Sequence, residues 1–448
     1  MEAGKPIPLA PKARPLVGHA VRLLRDPLAF LTGLPEYGDL VRVRIGPFTM
    51  HVVCGAELTH QVLLDDKTFD KGGPIFARVR EVTGNGLASC LHDDHRKQRR
   101  LVQPAFRPER VVDYTHTMTA IADAATGAWQ EGQVLDVPAE MMRITTATLA
   151  ATAFSDAFHR SVHDQLITDI GTVVGGLYKR VFMPAPLDRI PTRGNRAYGT
   201  ASARIRTVLE QAVSDRRTSP TAEDNLLSRL LAARDSESGG AGMSDREIVD
   251  SLVTFFIAGV ETTAHALAWA LYLLTQNPEV ERRLHSEVDA VLSGGPATHA
   301  DLGRLGFAGH VITETLRFCG PIWLLTRTVT KDTRLGDYEL RAGSTVLYSP
   351  YIVHHRKEHF EDPFSFDPDR WDASRARSPR GAVIPFGAGA RKCIGDNYAM
   401  AQAVLTLATV ARRWRLRPLS SNDTRPALAL TLRPRELLMR ATSRGCAD

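Results

Sequence analysis

Apolar residues recur every three or four positions over most of residues 111 to about 292, which predicts a series of amphipathic helices. Turn-forming residues interrupt the pattern at 184–194 and at 218–223 and predict loops there. Nearer the start, residues 40–45 and 48–53 alternate or run apolar around a Gly-Pro pair, which predicts a β-hairpin. The chain is therefore expected to be mainly α with a small β-sheet.

The segment from Ser244 to Gln276 predicts one unusually long helix. Ser244 is followed three residues later by Glu247, which is the spacing of a capping box, and Asn277-Pro278 marks the end. At 1.5 Å per residue such a helix is about 50 Å long. We expect it to cross the whole molecule.

The chain has no internal repeat, low-complexity tract or long Gly/Ser linker over its 448 residues. Short breaks at 236–242 and 293–297 are typical of loops between helices. One continuous domain over residues 1–448 is therefore predicted.

Composition narrows the class of protein. Hydrophobic residues make up 43% and charged residues 24%, as in globular proteins with a sizeable core. Four prolines break the first 25 residues, so we expect no signal peptide or membrane span there. Five scattered cysteines, an odd number, argue against a disulfide framework. These features together favour a reducing, cytoplasmic setting.

The net charge of +6 is spread along the chain without an aromatic-basic nucleic-acid signature. No nucleic-acid partner is expected. An acidic protein partner is the better interpretation of this charge.

The candidate chemistry centres on Cys393, which lies in a glycine-rich segment before a predicted helix at 396–413. Glycines on both sides let the backbone approach a flat cofactor, and a helix N-terminus stabilises a thiolate. A cysteine taken alone is more often a small buried apolar residue. Here all the fixed positions of a ten-residue pattern match: Phe386, Gly389, Arg391, Cys393 and Gly395.

This pattern, Phe-x-x-Gly-x-Arg-x-Cys-x-Gly, is the signature of the cytochrome P450 superfamily, which the chain resembles over nearly its whole length. The resemblance implies a triangular, mainly α-helical prism with small β-sheets around a buried haem b. It also implies that the Cys393 thiolate is the iron ligand and that Phe386, Gly389 and Gly395 contact the cofactor.

Two further motifs occur in the order that the resemblance requires. Glu314 and Arg317 resemble the family's Glu-x-x-Arg helix, and Arg370 lies in a loop resembling the one that completes a charged triad with them. Alone, Glu314 and Arg317 would be a surface pair worth under about 1 kcal/mol. Beside the cysteine signature, a buried structural triad is the better interpretation.

Within the long predicted helix, Gly259 precedes an acid-alcohol pair, Glu261 and Thr262. Glycine costs about 1 kcal/mol in a helix interior, and Thr262 can bond the carbonyl one turn earlier, so we expect a bent or widened helix. A glycine packing contact with an exposed threonine is the simpler alternative. In the family pattern the acid and the threonine relay protons to iron-bound dioxygen, which implies that role for Glu261 and Thr262.

Basic residues are expected to meet the haem propionates. By resemblance these are His95, Arg99, Arg327 and Arg391. Their neighbours on the same helix, Arg96, Lys97 and Arg100, are predicted to form a solvated basic face that can also meet a redox partner.

The resemblance implies a monooxygenase that inserts one oxygen atom from dioxygen into a C–H bond. Thiolate ligation favours O–O cleavage. The chain carries no Gly-x-Gly-x-x-Gly fingerprint of a flavin or nicotinamide site, so its electrons are expected from a ferredoxin and a ferredoxin reductase. We expect a monomer.

The predicted substrate pocket is largely apolar. The residues expected to line it, each of which core packing would explain equally well, are Phe76, Phe182, Met183, Phe255, Phe256, Trp323 and Leu324. Such a pocket favours a compact hydrocarbon held by burial. The chain resembles actinobacterial sesquiterpene oxygenases of the pentalenene oxygenase type, which implies a role in secondary-metabolite and antibiotic biosynthesis. Macrolide and fatty-acid oxidation stay open.

Two other classes of protein are weighed against this one. A haem protein that binds without oxidising would have lost the acid-threonine pair, which is present. Terpene cyclisation needs a magnesium-binding aspartate cluster, for which Asp65, Asp66 and Asp70 are the candidates. Their spacing does not fit, and a solvated helix terminus explains them more simply.

Overall fold

A computed structural model describes residues 5–154, 160–182, 185–219, 224–292, 294–375, 379, 381–427 and 429–445. Helices account for most of these residues, and the strands form small sheets. The mainly α fold with small β-sheets is thus confirmed.

The helices differ widely in length, from one turn to nine. They are α1 Ala20–Arg25, α2 Pro27–Thr32, α3 Ala56–Leu64, α4 Gly73–Thr83, α5 His92–Val102, α6 Pro108–Gly127, α7 Val137–Phe154, α8 Arg160–Phe182, α9 Ala185–Asp188, α10 Arg193–Thr218, α11 Leu226–Ala232, α12 Asp245–Gln276, α13 Pro278–Leu292, α14 Gly306–Cys319, α15 Pro350–His354 and α16 Asp396–Arg413.

The strands are short. They are β1 Leu40–Ile45, β2 Phe48–Val53, β3 Phe69–Lys71, β4 Val134–Asp136, β5 Leu325–Val329, β6 Thr333–Leu335, β7 Tyr338–Leu340, β8 Thr345–Tyr348, β9 Trp414–Pro418, β10 Pro426–Ala427, β11 Arg433–Pro434 and β12 Leu438–Ser443.

The chain divides into two compact units whose segments alternate along the sequence. The first unit comprises the chain up to Val79, Leu316–Asp367 and Ala373–Cys393, and the second comprises Arg80–Thr315, Pro368–Asp372 and the chain from Ile394 onward. The sequence shows no long Gly/Ser linker between segments of the two units. One continuous domain stays a prediction.

The first unit is organised around a five-stranded sheet in the order β1-β2-β8-β5-β3. Its β1–β2 hairpin has the predicted bounds, with Leu40 opposite Val53 and Ile45 opposite Phe48. Gly46 adopts a left-handed φ of 58°, as a tight turn between right-twisted strands requires. Apolar residues of this sheet, of α3 and of the β6–β7 hairpin pack together in the core of this unit.

The second unit is organised around α12, which has 32 residues and packs against α7, α10 and α16. Its start is as predicted, because Ser244 caps the helix and forms the capping box with Glu247. By length and composition this helix could cross a membrane, but 78% of its most apolar window is buried among the described residues. It is a core helix.

A buried carboxylate ties other segments of the second unit to α12. Asp250 accepts the Asn85 backbone N–H at 3.0 Å and the Arg206 guanidinium of α10 at 2.8 Å. Gly84 has a left-handed φ of 58°, and a Cβ there would meet the Asp250 carboxylate. The turn after α4 and helix α10 are therefore both fixed on α12.

A buried ion cluster fixes the segment before α16 in the first unit. Arg391, whose side chain is 1% exposed, donates to Asp66 at 2.8 Å and to Asp70 at 2.9 Å. The interpretation of Asp66 and Asp70 as a solvated helix terminus was wrong, because both carboxylates are buried against this cation. A buried cation needs such partners, since its desolvation is otherwise costly.

We expect Asp66→Asn and Asp70→Asn each to lower the free energy of unfolding by about 1.5–3 kcal/mol, because each removes a negative charge that balances Arg391 and leaves a weaker, neutral hydrogen-bond acceptor. The double variant leaves the cation without these carboxylates and should lose about 3–5 kcal/mol. Urea unfolding of the purified protein measures both losses.

The matched control is Asp65→Asn. The Asp65 carboxylate accepts the Thr68 backbone N–H at 3.0 Å, a bond that an asparagine oxygen can replace. This change should stay within about 0.5 kcal/mol of the natural protein. A double variant as stable as this control would contradict the role assigned to the cluster.

Candidate active site

Cys393 ends a tightly turned loop of the first unit. Its backbone N–H donates to the Phe386 carbonyl at 2.9 Å, which closes the loop. Gly387 and Gly389 have φ of 72° and 67°, and a Cβ at Gly389 would collide with the Leu63 carbonyl. The cysteine is exposed and not in a disulfide. Two glycines are therefore required to present this thiol.

Helix α16 begins three residues after Cys393, with Gly395 as its N-cap. The observed bounds, Asp396–Arg413, are those that the sequence predicted. The α16 N-terminus is the positive end of the helix dipole and is close in sequence to Cys393. A positive helix end near a cysteine favours the thiolate form of that cysteine.

Arg327 of β5 is a buried cation of the first unit. Its side chain lies beside the Phe76 and Tyr348 rings, and its hydrogen bonds to described residues are long, at 3.4 Å to the Thr326 carbonyl and 3.5 Å to the Tyr348 hydroxyl. No carboxylate of the described residues pairs with it. A buried guanidinium in this condition suits an acidic ligand, such as a haem propionate.

His95 and Arg99 share one face of α5 at i and i+4, as predicted. His95 is buried and Arg99 is half-buried. Both belong to the second unit.

The solvated basic face predicted for the same helix is wrong in part. Arg100 binds the buried Asp235 carboxylate through two hydrogen bonds of 3.0 Å. Lys97 pairs with Glu247 at 3.0 Å, and the exposed Arg96 pairs with Glu237 at 3.4 Å. Carboxylates of the chain itself therefore neutralise much of this charge.

Most of α12 is buried, but one side of its middle is exposed. Ala258 and Gly259 are exposed, and the half-buried Thr262 donates its hydroxyl to the Ala258 carbonyl at 2.8 Å, as predicted. A Cβ at Gly259 would meet only Leu149, at an ordinary 3.8 Å. Helix packing therefore does not require this glycine, and small residues keep one side of the helix open.

Glu261 is buried on the same helix. Burial raises its pKa to about 7, although a hydrogen bond with Thr431 and the charge of Arg433 act in the opposite direction. His265, one turn later, lies 3.9 Å from the carboxylate and bonds the Thr431 hydroxyl at 2.9 Å. Near neutral pH the Glu261 carboxyl can therefore both release and take up a proton.

In the predicted structural triad Glu314 and Arg317 are buried, and Arg370 is half-buried. In the second unit Glu314 pairs with Arg370 at 3.4 Å and accepts the Trp371 indole N–H at 3.0 Å. In the first unit Arg317 donates to the carbonyls of His354, Pro363 and Ser365, at 2.8–3.0 Å. These contacts fix loops, which agrees with a structural role.

The expected pocket lining needs correction at Phe256. This ring is 1% exposed and stacks on Phe154, with ring centroids 6.1 Å apart, so it belongs to the core. Phe255 packs edge-on against Phe106. Met183 and the side chain of Phe182 lie outside the described residues.

The sequence did not predict the contacts of Thr431, His265 and Trp371, or the binding of Arg391 by Asp66 and Asp70. His265 offered a local signal, because it lies four residues after Glu261 and therefore on the same helix face. Thr431 offered none, since 166 residues separate it from His265.

Comparison with known proteins agrees with this arrangement. The family model described as Cytochrome P450 matches residues 8–441. The chain is 43% identical to the cyclooctat-9-en-7-ol 5-monooxygenase of Streptomyces melanosporofaciens, over 91% of this chain and 89% of that protein. It is 40% identical to the pentalenene oxygenase of Streptomyces avermitilis, over 97% of each.

The fold comparison gives the same family. The crystal structure of the cytochrome P450DA haem domain superposes with a TM-score of 0.89 at 27% identity, covering 98% of both chains. Family and fold together imply a haem held by a cysteine thiolate. The chain therefore belongs to the cytochrome P450 family and is a cytochrome P450 monooxygenase.

Proposed function

We propose that this monooxygenase oxidises a C–H bond of a compact cyclic terpenoid, a sesquiterpene such as pentalenene, in secondary-metabolite biosynthesis. The observation that carries the proposal is the 40–43% identity, over nine-tenths or more of the chain, to oxygenases named for pentalenene and for cyclooctat-9-en-7-ol. The apolar composition of the predicted lining supports it, because burial and shape are what orient a hydrocarbon.

Haem b is the proposed cofactor, with the Cys393 thiolate as axial ligand and with Phe386, Gly389 and Gly395 shaping the loop that receives it. The residues present fit this group, since the loop presents an exposed thiol and Arg327 is a buried cation that no described carboxylate neutralises. We assign the propionates to Arg327, His95 and Arg99. Arg391 contributes less to them, because Asp66 and Asp70 already balance its charge.

When bound, thiolate-ligated haem supplies the activation of dioxygen. The chain's own contribution is to move protons and to exclude water. Thr262 holds its hydroxyl on the Ala258 carbonyl, which fixes the direction of its oxygen. Glu261 supplies protons from a carboxyl that is half-protonated near pH 7. Glu261 and Thr262 are thus the proposed catalytic pair.

Electrons are proposed to come from a ferredoxin and its reductase in the cytoplasm, since the family relatives imply separate redox partners. Exposed Lys392 follows Arg391 and precedes Cys393 in the chain, so it would lie where an acidic electron donor is proposed to approach. The helix α5 cations offer less charge than the sequence predicted, because carboxylates pair with them.

Cys393→Ser should abolish the strongly red-shifted Soret band that thiolate-ligated haem shows when reduced under carbon monoxide. A serine oxygen is a harder and weaker donor than a thiolate. Cys319→Ser is the matched control, because that cysteine is also outside any disulfide but lies at the end of α14. Retention of the band in Cys393→Ser would exclude this ligand.

Substrate class is tested by spectral titration with sesquiterpene hydrocarbons that include pentalenene, and in parallel with a macrolide and a fatty acid. We expect a low-spin to high-spin shift with a sesquiterpene at micromolar concentration, because an apolar ligand displaces water from the iron. A shift with the macrolide or the fatty acid alone would replace the terpenoid proposal and leave the monooxygenase assignment intact.

The efficiency of oxygen use should depend on pH through Glu261. Because the pKa of Glu261 is about 7, the carboxyl is protonated below this pH and ionised above it. Product formed per electron pair should therefore fall, and peroxide release should rise, as pH increases through about 7. Glu261→Gln cannot ionise, so its coupling should be low and flat across this range. A wild-type profile in this variant would contradict the role of the carboxyl.

A further inference from the structure

Three side chains on one face of α12 reach the same segment of the second unit. Glu261, His265 and Trp269 lie at i, i+4 and i+8, which places them one above the other along the helix. The His265 ring bonds the Thr431 hydroxyl at 2.9 Å and lies 3.9 Å from the Glu261 carboxylate, whose pKa Thr431 lowers by hydrogen bonding, and the Trp269 indole N–H donates to the Leu432 carbonyl at 3.0 Å. The segment before β11 therefore lies along the helix at the level of the proposed proton donor.

We propose that Thr431 and His265 are positioning residues that hold the Glu261 carboxyl in one orientation in both of its protonation states. This inference rests on the proposed function, in which Glu261 supplies protons. Neither residue is required to touch substrate or haem.

The Thr431 hydroxyl can bond both Glu261 and His265 whether Glu261 is ionised or protonated. A hydroxyl donates one hydrogen bond and accepts others, so it can serve two partners at once. When Glu261 is ionised, Thr431 donates to the carboxylate and accepts from the Nδ1–H of His265. When Glu261 is protonated, its O–H donates to Thr431, and the Thr431 hydroxyl donates to an unprotonated Nδ1.

The imidazole can follow this reversal because it is neutral. Burial, together with the charge of Arg433, lowers the pKa of His265 to about 3, so either ring nitrogen can carry the single proton. The two states of the cluster therefore differ by one proton on Glu261 and by the tautomer of His265. A side chain with one fixed donor or acceptor could serve only one of these states.

Few ionisable groups of the described residues lie near the Glu261 carboxyl. In the described part of the chain, the other ionisable groups that face it are His265 on its own helix and Arg433 on β11. The hydrogen bond from Thr431 favours the ionised form of Glu261. Loss of this bond should therefore raise the pH at which the carboxyl ionises.

The test uses the haem-loaded enzyme with its electron-donor proteins and compares Thr431→Val, Thr431→Ser and His265→Phe. Product per electron pair is measured from pH 6 to pH 9. Thr431→Val should move the midpoint of the profile upward by about 0.5–1 pH unit, the effect of one lost hydrogen bond. Thr431→Val and His265→Phe should both lower coupling at pH 6 about threefold or more, because the carboxyl is no longer held in place.

Thr431→Ser retains the hydroxyl and should behave as the natural enzyme. Trp269→Phe removes the third bond of the same helix face but leaves the Glu261 cluster intact, so its profile should also be unchanged. The carbon monoxide band and the substrate-induced spin shift establish that each variant carries haem and binds substrate.

The outcomes separate the two levels of the proposal. If Glu261→Gln removes the pH dependence while Thr431→Val and His265→Phe leave it as in the natural enzyme, the positioning role is wrong and the proposed function stands. If Trp269→Phe matches Thr431→Val, the bonds only anchor the segment, and the positioning role is again wrong. If Glu261→Gln behaves as the natural enzyme, the proton-donor role itself fails.

Discussion

Burial of α12 on nearly all sides is the constraint on which the second unit depends. A polar side chain on such a helix must find a partner, because a buried group without one costs several kcal/mol. Ser251 and Thr254 turn back to carbonyls of their own helix. Asp250, Glu261, His265 and Trp269 reach other segments instead, and these contacts fix the turn after α4, helix α10 and the segment before β11. One helix thereby sets the position of elements far apart in sequence.

Features with local causes could be predicted from the sequence. The β1–β2 hairpin follows from apolar runs around a turn, and the start of α12 follows from the Ser244 capping box. The bounds of α16, Asp396–Arg413, were also predicted. The Cys393 loop was predicted from its glycine-rich signature, which lies within one segment, and two of its glycines adopt left-handed φ angles.

Features that depend on distant partners could not be predicted. Asp66 and Asp70 follow an apolar helix end and suggest solvent exposure, but their partner Arg391 is more than 320 residues away. Arg100 was expected in solvent for the same reason, although it binds Asp235. An apolar residue such as Phe256 is equally suited to the lining of a pocket and to the core. Its stacking on Phe154 assigns it to the core. A sequence pattern predicts whether a position is polar or apolar, but it does not identify the distant residue that the side chain contacts.

The Arg391 cluster has a consequence for how the protein acquires its cofactor. The guanidinium and its two carboxylates are all supplied by the chain, so they order the loop before Cys393 without help from a ligand. A loop that is already rigid loses little conformational entropy when a ligand arrives, and more of the interaction energy remains as affinity. Haem should therefore bind to a loop that is already folded, and its binding should not be needed to fold that loop.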